Sequence, residues 1–241
     1  MTTWWPYARL AAAVLALAAI IAQLSRSIAN ALAASTEWGQ HLPTVTANFL
    51  SFFTILSNLL AAIVLTIGAI WALRHRRDTE REPTWFAVLL VCVSTYMIVT
   101  GIVYNTLLRG VELPQGVTVP WSNEVLHVVI PLFLLADVLL APRRRALGWS
   151  AVFITALFPL AWALYTLVRA NLIIAPATGD PWWYPYPFLD PHLVPGGYLG
   201  VSGYIVGIAI AIIGVAFFVV WIGRRRGAFA RVAKDFTRSE G

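Results

Sequence analysis

The chain has 241 residues, of which 59% are hydrophobic and 12% are charged. Soluble domains carry about 25% charged residues, so this composition excludes an ordinary soluble protein and indicates an integral membrane protein. The net charge of +6 comes from basic residues between apolar segments, where they act as topology signals rather than as a nucleic-acid-binding surface.

Six apolar segments are long enough to cross a bilayer, which takes roughly 20 residues per helix. We therefore predict an all-α, six-span protein forming a single domain over residues 1–241, and we expect each span to be a full α-helix because lipid leaves no backbone group unpaired. The predicted spans cover about 8–30, 49–73, 85–107, 123–141, 147–169 and 197–223.

The first segment resembles a secretory signal peptide, with Arg9 before an apolar run and small residues at 31–34. Its apolar stretch is about 20 residues long, whereas the apolar region of a signal peptide needs only roughly 7–15. We therefore expect it to be retained as the first span.

Basic residues mark one side of the predicted bundle. The positive-inside rule then places both termini in the cytoplasm and the Pro- and Trp-rich loop at 171–196 on the outer side. The residues that carry this orientation are Arg74, Arg76, Arg77, Arg81, Arg143, Arg144, Arg145, Arg224, Arg225, Arg226, Arg231 and Lys234.

A layer of polar residues is predicted just below the outer boundary. Helix rise places Thr54 of the second span and His127 of the fourth roughly 6–9 Å below it. Arg26 of the first span and Tyr104 and Asn105 at the end of the third reach a similar depth. Intramembrane ionisable residues are functional candidates by default, so this layer is the predicted site.

Thr54 and His127 form a possible nucleophile and general base. The alternative for Thr54 is a hydrogen bond back to the carbonyl four residues earlier, and the alternative for His127 is a structural bond between helices. Asn58 lies one turn from Thr54 and can either stabilise an oxyanion or bond a neighbouring helix. Asn123 and Glu124, one turn before His127, can orient its ring.

Other polar residues leave further alternatives open. Arg26 can hold a carboxylate head group or an oxyanion, or its side chain can extend to the outer surface. Asn105 is a third candidate oxyanion donor. Asp137 lies roughly 15 Å deeper than His127, so we expect it to bond another helix, with a proton or ion path as the alternative.

The segment from Trp183 to Pro191 holds three prolines in seven residues and several aromatic side chains. We expect it either to fold back as a lid, with Tyr186 contacting substrate, or to form part of an interfacial aromatic belt. The single cysteine, Cys92, has no partner for a disulfide, and His41, His75 and His192 lack ligand spacing. We therefore expect no metal and no cofactor.

Several of these residues form a pattern. Phe53-Thr54-Ile55, Asn123-x-x-x-His127-x-x-x-Pro131 and Trp183-Tyr184-Pro185 followed by Phe188-Leu189-Asp190 resemble segments of the androgen-induced-gene-like intramembrane hydrolases. The resemblance covers nearly the whole chain and is greatest for bacterial six-span members, although Glu124 stands where the family tends to have a second histidine.

The resemblance implies a threonine hydrolase in the bacterial cytoplasmic membrane that cleaves lipid esters, notably fatty acid esters of hydroxy fatty acids. It implies Thr54 as the nucleophile and His127 as the base, with lipid or fatty-acyl esters and membrane lipids as partners. The alternative is a non-catalytic lipid-binding protein or proton-coupled carrier, or a structural membrane subunit. The sequence gives no indication of the oligomeric state.

Overall fold

A computed structural model describes residues 4–76, 81–111 and 118–239 of the chain, with side chains up to residue 227. Arg77 lies outside the described residues, as do the side chains of Arg231 and Lys234. The predicted all-α fold is confirmed, because the structure has six helices long and apolar enough to cross a membrane and no strand in the ranges described.

The helices follow one another through short connections. In chain order they are α1 (Trp5–Leu32), α2 (Glu37–Gln40), α3 (Leu42–Ser51), α4 (Phe53–Arg74), α5 (Thr84–Val103), α6 (Pro120–Glu124), α7 (Ile130–Leu140), α8 (Ser150–Ala170) and α9 (Tyr198–Ser239). The potential membrane spans are Trp5–Leu32, Phe53–Arg74, Thr84–Leu108, Pro120–Leu140, Ser150–Ala170 and Tyr198–Gly227.

Helix α5 lies at the centre of the bundle. It packs against α4, α7, α8 and α9, while α1 lies along α4 and also contacts α3 and α6. An alanine-rich face of α1 (Ala12, Ala13, Ala16 and Ala19) is buried, which allows the close approach to α4. The bundle has two ends, which we call the site end, near Thr54, and the arginine end, near Arg74 and Arg144.

The expectation of uninterrupted spans is wrong in three places. Phe52 has an extended backbone (φ −68°, ψ 128°), so α3 ends at Ser51 and α4 begins at Phe53. Single π-helical turns occupy Tyr104–Leu108 and Val125–Val129 in the third and fourth spans. Turns of this kind occur frequently at functional sites in helices, and all three irregularities lie at the site end.

Aromatic contacts hold the break at Phe52. Its ring meets the rings of Trp183 and Tyr186 edge-on, with centroids 5.8 and 5.6 Å apart. Both partners belong to the loop between α8 and α9, where Trp183, Tyr184 and Tyr186 are buried. The loop therefore folds back onto the site end, which is the first of the two arrangements predicted for it.

Candidate active site

The structure brings Thr54 and His127 together. Thr54 lies in the first turn of α4, directly after the break at Phe52, and His127 lies in the π-helical turn of the fourth span. The Thr54 Oγ1 atom is 3.2 Å from His127 Nε2, within hydrogen-bonding distance. The Thr54 hydroxyl therefore bonds across the bundle.

The second ring nitrogen of His127 fixes the tautomer. His127 Nδ1 lies 2.9 Å from the backbone oxygen of Asn123. A carbonyl oxygen can only accept, so Nδ1 carries the hydrogen, and in the neutral ring Nε2 presents its lone pair to Thr54. The Thr54 hydroxyl is thus the donor and the imidazole is the acceptor, as a nucleophile and its base require.

Tyr186 completes the group around Thr54. Its hydroxyl accepts from the Thr54 backbone N–H at 3.2 Å and lies 3.3 Å from Thr54 Oγ1. Burial raises the pKa of Tyr186, so the phenol keeps its proton and can donate it to Oγ1. Each group then donates a hydrogen bond to the next one: Tyr186 to Thr54, Thr54 to His127, and His127 to the Asn123 carbonyl oxygen.

The backbone at His127 is shaped by two residues. Pro131 has no N–H, so the His127 carbonyl lacks its usual partner one turn later. Asn105 supplies a donor instead, with Nδ2 at 3.4 Å from that oxygen. Gly101 allows the third and fourth spans to approach here, since an added Cβ would lie 2.9 Å from Pro131 Cβ and 3.3 Å from His127 O.

The imidazole ring is also held from its face. Tyr104 stacks on it with centroids 3.9 Å apart and planes inclined by 22°. The Asn123 amide donates to the Tyr104 hydroxyl, and the Arg109 guanidinium lies 5.3 Å from the centre of the Tyr104 ring. Arg109 also forms a two-pronged ion pair with Glu124, with both N–O distances 3.0 Å. Asn123 thus contacts the His127 ring, as predicted, whereas Glu124 pairs with Arg109.

The predicted oxyanion donors are placed elsewhere. Asn58 donates to the Thr54 carbonyl at 2.9 Å and to the Leu126 carbonyl at 3.1 Å, so its amide hydrogens are not available to an oxyanion. It instead ties α4 to the fourth span, which is the alternative given for it above. The Asn105 amide is likewise engaged, with the carbonyls of Gly101 and His127.

Arg26 is not brought to the site. It is exposed on α1, and no contact joins it to Thr54 or His127 among the described residues. Of the predicted oxyanion or substrate-binding residues, Tyr186 alone has a hydrogen bond to Thr54 Oγ1 in the described structure.

Asp137 belongs to a separate buried group near the arginine end. It accepts from Arg9 at 2.8 Å and from the Trp5 indole at 2.7 Å, and it pairs with Arg144 at 3.2 Å. Arg9 also pairs with Glu82 at 3.2 Å. Asp137 therefore bonds other segments, as expected. The partners of Asp137 are not predictable from the sequence, because Arg9, Glu82 and Arg144 resemble ordinary charges flanking apolar spans.

An apolar groove of about 460 Å³ runs between α1 and α7. It extends from Trp4 and Leu140 to Leu15 and Val129, and neither Thr54 nor His127 lines it. Within the described ranges, no three His, Cys, Asp or Glu side chains are grouped as metal ligands would be.

The fold and the site together define a six-span helical protein with a threonine, a histidine and a tyrosine clustered inside one end of the bundle. Comparison of the chain with protein-family models, with curated proteins and with solved structures finds no match.

Proposed function

We propose that the protein is an intramembrane hydrolase that cleaves lipid esters, with fatty acid esters of hydroxy fatty acids or similar acyl esters as substrates. The observation that carries this proposal is the Thr54 hydroxyl at 3.2 Å from an imidazole nitrogen whose lone pair faces it. The resemblance to the androgen-induced-gene-like hydrolases supports the same assignment.

Acylation begins when Thr54 Oγ1 attacks the ester carbonyl carbon. His127 Nε2 takes the hydroxyl proton, the carbonyl oxygen becomes an oxyanion, and the proton then passes to the departing alcohol as the ester bond breaks. Water repeats the sequence on the acyl-threonine, releasing the fatty acid and restoring the Thr54 hydroxyl. Each half-reaction returns His127 to its neutral form.

Tyr186 takes the oxyanion role in this proposal. Its hydroxyl donates to Thr54 Oγ1 in the resting site, at 3.3 Å, and the same proton can turn toward the oxyanion that forms beside Oγ1. A single donor of this kind typically contributes about 100–1000-fold in rate. Asn58 and Asn105 instead stabilise the backbone near Thr54 and His127 by donating hydrogen bonds to carbonyl oxygens.

We propose from the arginine distribution that the site lies in the outer half of a bacterial cytoplasmic membrane. A buried threonine at this depth is reached by a substrate that enters from the lipid, which suits a long acyl ester. The polar ends of the products then lie close to the aqueous boundary.

The alternative, a non-catalytic lipid-binding protein or carrier, has one observation in its favour, the apolar groove of about 460 Å³ that is separate from Thr54. A groove that binds an acyl chain without a reactive group beside it suits binding rather than hydrolysis.

Labelling with a fluorophosphonate probe separates the two. We expect an adduct on Thr54, mapped by mass spectrometry, that is abolished in Thr54→Ala and slowed about 100-fold or more in His127→Ala. Thr66→Ala is the matched control, because Thr66 is on the same helix with its hydroxyl bonded to the Ala62 carbonyl. Folded protein that remains unlabelled at Thr54 contradicts the hydrolase and favours the carrier.

A further inference from the structure

Helix α8 carries a graded row of side chains on the face toward α3 and α4. The row runs from apolar to charged as it approaches the site end, at helical spacings of four, three and four residues. Its members are Phe158, Trp162, Tyr165 and Arg169.

Side chains of this row bridge to α3 and α4, while the helix itself packs along α9 and α5. The rings of Phe158 and Trp162 lie 5.7 and 5.2 Å from that of Phe53, the residue before Thr54. Higher in the row, the Trp162 indole donates to the Ser51 carbonyl at 2.9 Å, and the Tyr165 hydroxyl lies 3.1 Å from Ser51 Oγ. These contacts place the aromatic rings of the row, which we call the α8 row, beside Thr54.

At the charged end of the α8 row, Asn48 Nδ2 lacks an acceptor and Arg169 lacks a counter-charge among the described residues. Arg169 donates to Asn48 Oδ1 at 2.7 Å and lies over the Trp183 ring, and it has no carboxylate within ion-pair distance in the described part of the chain. Asn48 is 2% exposed, and its Nδ2 has no hydrogen-bond partner among the described residues. Since an unpaired buried donor costs about 1–3 kcal/mol, both groups favour an anionic acceptor.

The charged end lies close to the reacting threonine. Five residues lie between Asn48 and Thr54, four of them helical and one extended, so the two Cα atoms are no more than roughly 11 Å apart. A chain of ring contacts joins the two places, from Trp183 through Phe52 to Tyr186. A single amphiphilic molecule can therefore reach both.

We propose that Arg169 and Asn48 form a subsite for the anionic head group, carboxylate or phosphate, of an amphiphilic substrate whose chain lies along the α8 row. The subsite rests on the proposed function only in placing an ester at Thr54. It selects esters that carry a negative charge roughly 10 Å from the scissile bond, as the geometry of Asn48 and Thr54 requires.

Photoaffinity labelling tests the subsite without catalysis. Thr54→Ala protein in phosphatidylcholine nanodiscs is exposed to a diazirine fatty acid, to its methyl ester and to an alkyl phosphate of equal length, and crosslinks are mapped by mass spectrometry. We expect crosslinks on the α8 row, with half-maximal labelling by the acid at about 10-fold or more higher concentration in Arg169→Gln. The methyl ester should change less than about twofold.

Three variants accompany this measurement. Arg169→Lys should restore much of the labelling, and Asn48→Asp should lower it as Arg169→Gln does, because a second negative charge repels the ligand. Arg26→Gln is the matched control for an arginine at the same end of the bundle. Comparing the two anions identifies the head group of the natural ligand. Stronger labelling by the alkyl phosphate indicates a phosphorylated lipid, and stronger labelling by the acid indicates a free carboxylate.

The proposal is overturned if acid and methyl ester label the wild-type α8 row equally, if Arg169→Gln leaves labelling by both anions unchanged, or if Arg26→Gln causes the loss instead. If the protein binds anions at Arg169 but Thr54 never reacts with a phosphonate, the subsite proposal stands and the hydrolase proposal fails. The two proposals therefore fail separately.

Discussion

The Tyr186 hydroxyl serves two groups of Thr54, because it accepts from the backbone N–H and lies within donating distance of Oγ1. The N–H groups of a first helical turn have no partner within the helix, so a side chain from outside must satisfy them. Here that side chain comes from the loop before the last span. One phenol thus stabilises the start of α4 and orients the hydroxyl that we assign as the nucleophile.

Replacing Tyr186 by Phe tests that assignment. We expect the phosphonate labelling rate at Thr54 to fall about 100-fold, because the donor beside Oγ1 is lost. Tyr184→Phe is the control, since the Tyr184 hydroxyl lies 3.3 Å from the Tyr198 hydroxyl in the same region and leaves Thr54 untouched. Equal labelling rates in the two variants would show that Tyr186 takes no part in the reaction.

At the level of single residues, the sequence predicted the pair more readily than its surroundings. A histidine and a threonine in apolar spans stand out because lipid offers them no partners, and their depths follow from helix rise. The roles of Asn58 and Tyr186 depend on which way each side chain turns and on how a proline-rich loop folds back. Periodicity carries neither piece of information. From the sequence, Asn58 is therefore a candidate oxyanion donor and Tyr186 only a possible substrate contact.

Among the elements, the third and fourth spans meet where Gly101 faces Pro131. Their π-helical turns place Tyr104 against the ring of His127 and Asn105 against its carbonyl. The sequence does not predict these turns, because apolar periodicity in a membrane span looks the same with or without one extra residue. In the sequence, Pro131 indicates irregular helical hydrogen bonding near His127, because proline has no N–H to donate.

A methyl group at Gly101 should disturb this crossing. We expect Gly101→Ala to lower the free energy of unfolding by about 1–3 kcal/mol, because its Cβ would press on Pro131 and on the His127 carbonyl, and to slow labelling of Thr54 as well. Gly203→Ala on α9 is the control, since in the described structure no atom outside its own helical turns lies within 4 Å of its added Cβ, and we expect a gain of about 0.5–1 kcal/mol. Denaturant titration in detergent measures both, and equal shifts would contradict the close crossing.

Across the whole molecule, two polar groups lie at opposite ends of the bundle. The hydroxyl–imidazole pair is at the site end, and the Arg9, Asp137, Glu82 and Arg144 group is near the arginine end. The second group joins α1, α7 and the segments before α5 and after α7. A chain that crosses a membrane six times gains a fixed arrangement of its spans from such buried ion pairs.

The two carboxylates of the second group should respond differently to neutralisation. We expect Asp137→Asn to cost about 3–5 kcal/mol of unfolding free energy, because it leaves two buried guanidiniums short of a counter-charge. Glu82→Gln should be near neutral or stabilising at pH 7. Burial raises the pKa of Glu82 despite the attraction of Arg9 and Arg144, and its Oε2 has no partner in the described structure.

The pH dependence gives a second check on Glu82. An acid whose pKa is raised on folding adds stability below its unfolded pKa, and that stability is lost as the pH rises through the folded value. Thermal unfolding in detergent should therefore show the advantage of Glu82→Gln over the wild type shrinking as the pH falls from 7 toward 4. An advantage that grows with acidity would contradict this account.

The orientation in the membrane is a separate expectation. In a Cys92→Ala background, we expect Leu172→Cys, 75% exposed between α8 and α9, to react with a membrane-impermeant maleimide in intact cells. Arg76→Cys, exposed at the other end of the bundle, should react only after permeabilisation. The reverse pattern would place the site at the cytoplasmic face.

The single extended residue Phe52 uncouples two halves of one membrane segment. In an unbroken helix, an insertion or deletion of one residue turns everything beyond it by about 100°. Because α3 ends before Phe52, an insertion or deletion within Leu42–Ser51 changes the rotation of α3 alone, and Thr54 keeps its orientation toward His127. Helix α3 can therefore vary in length over evolution, or be redesigned, without turning the Thr54 hydroxyl away from His127.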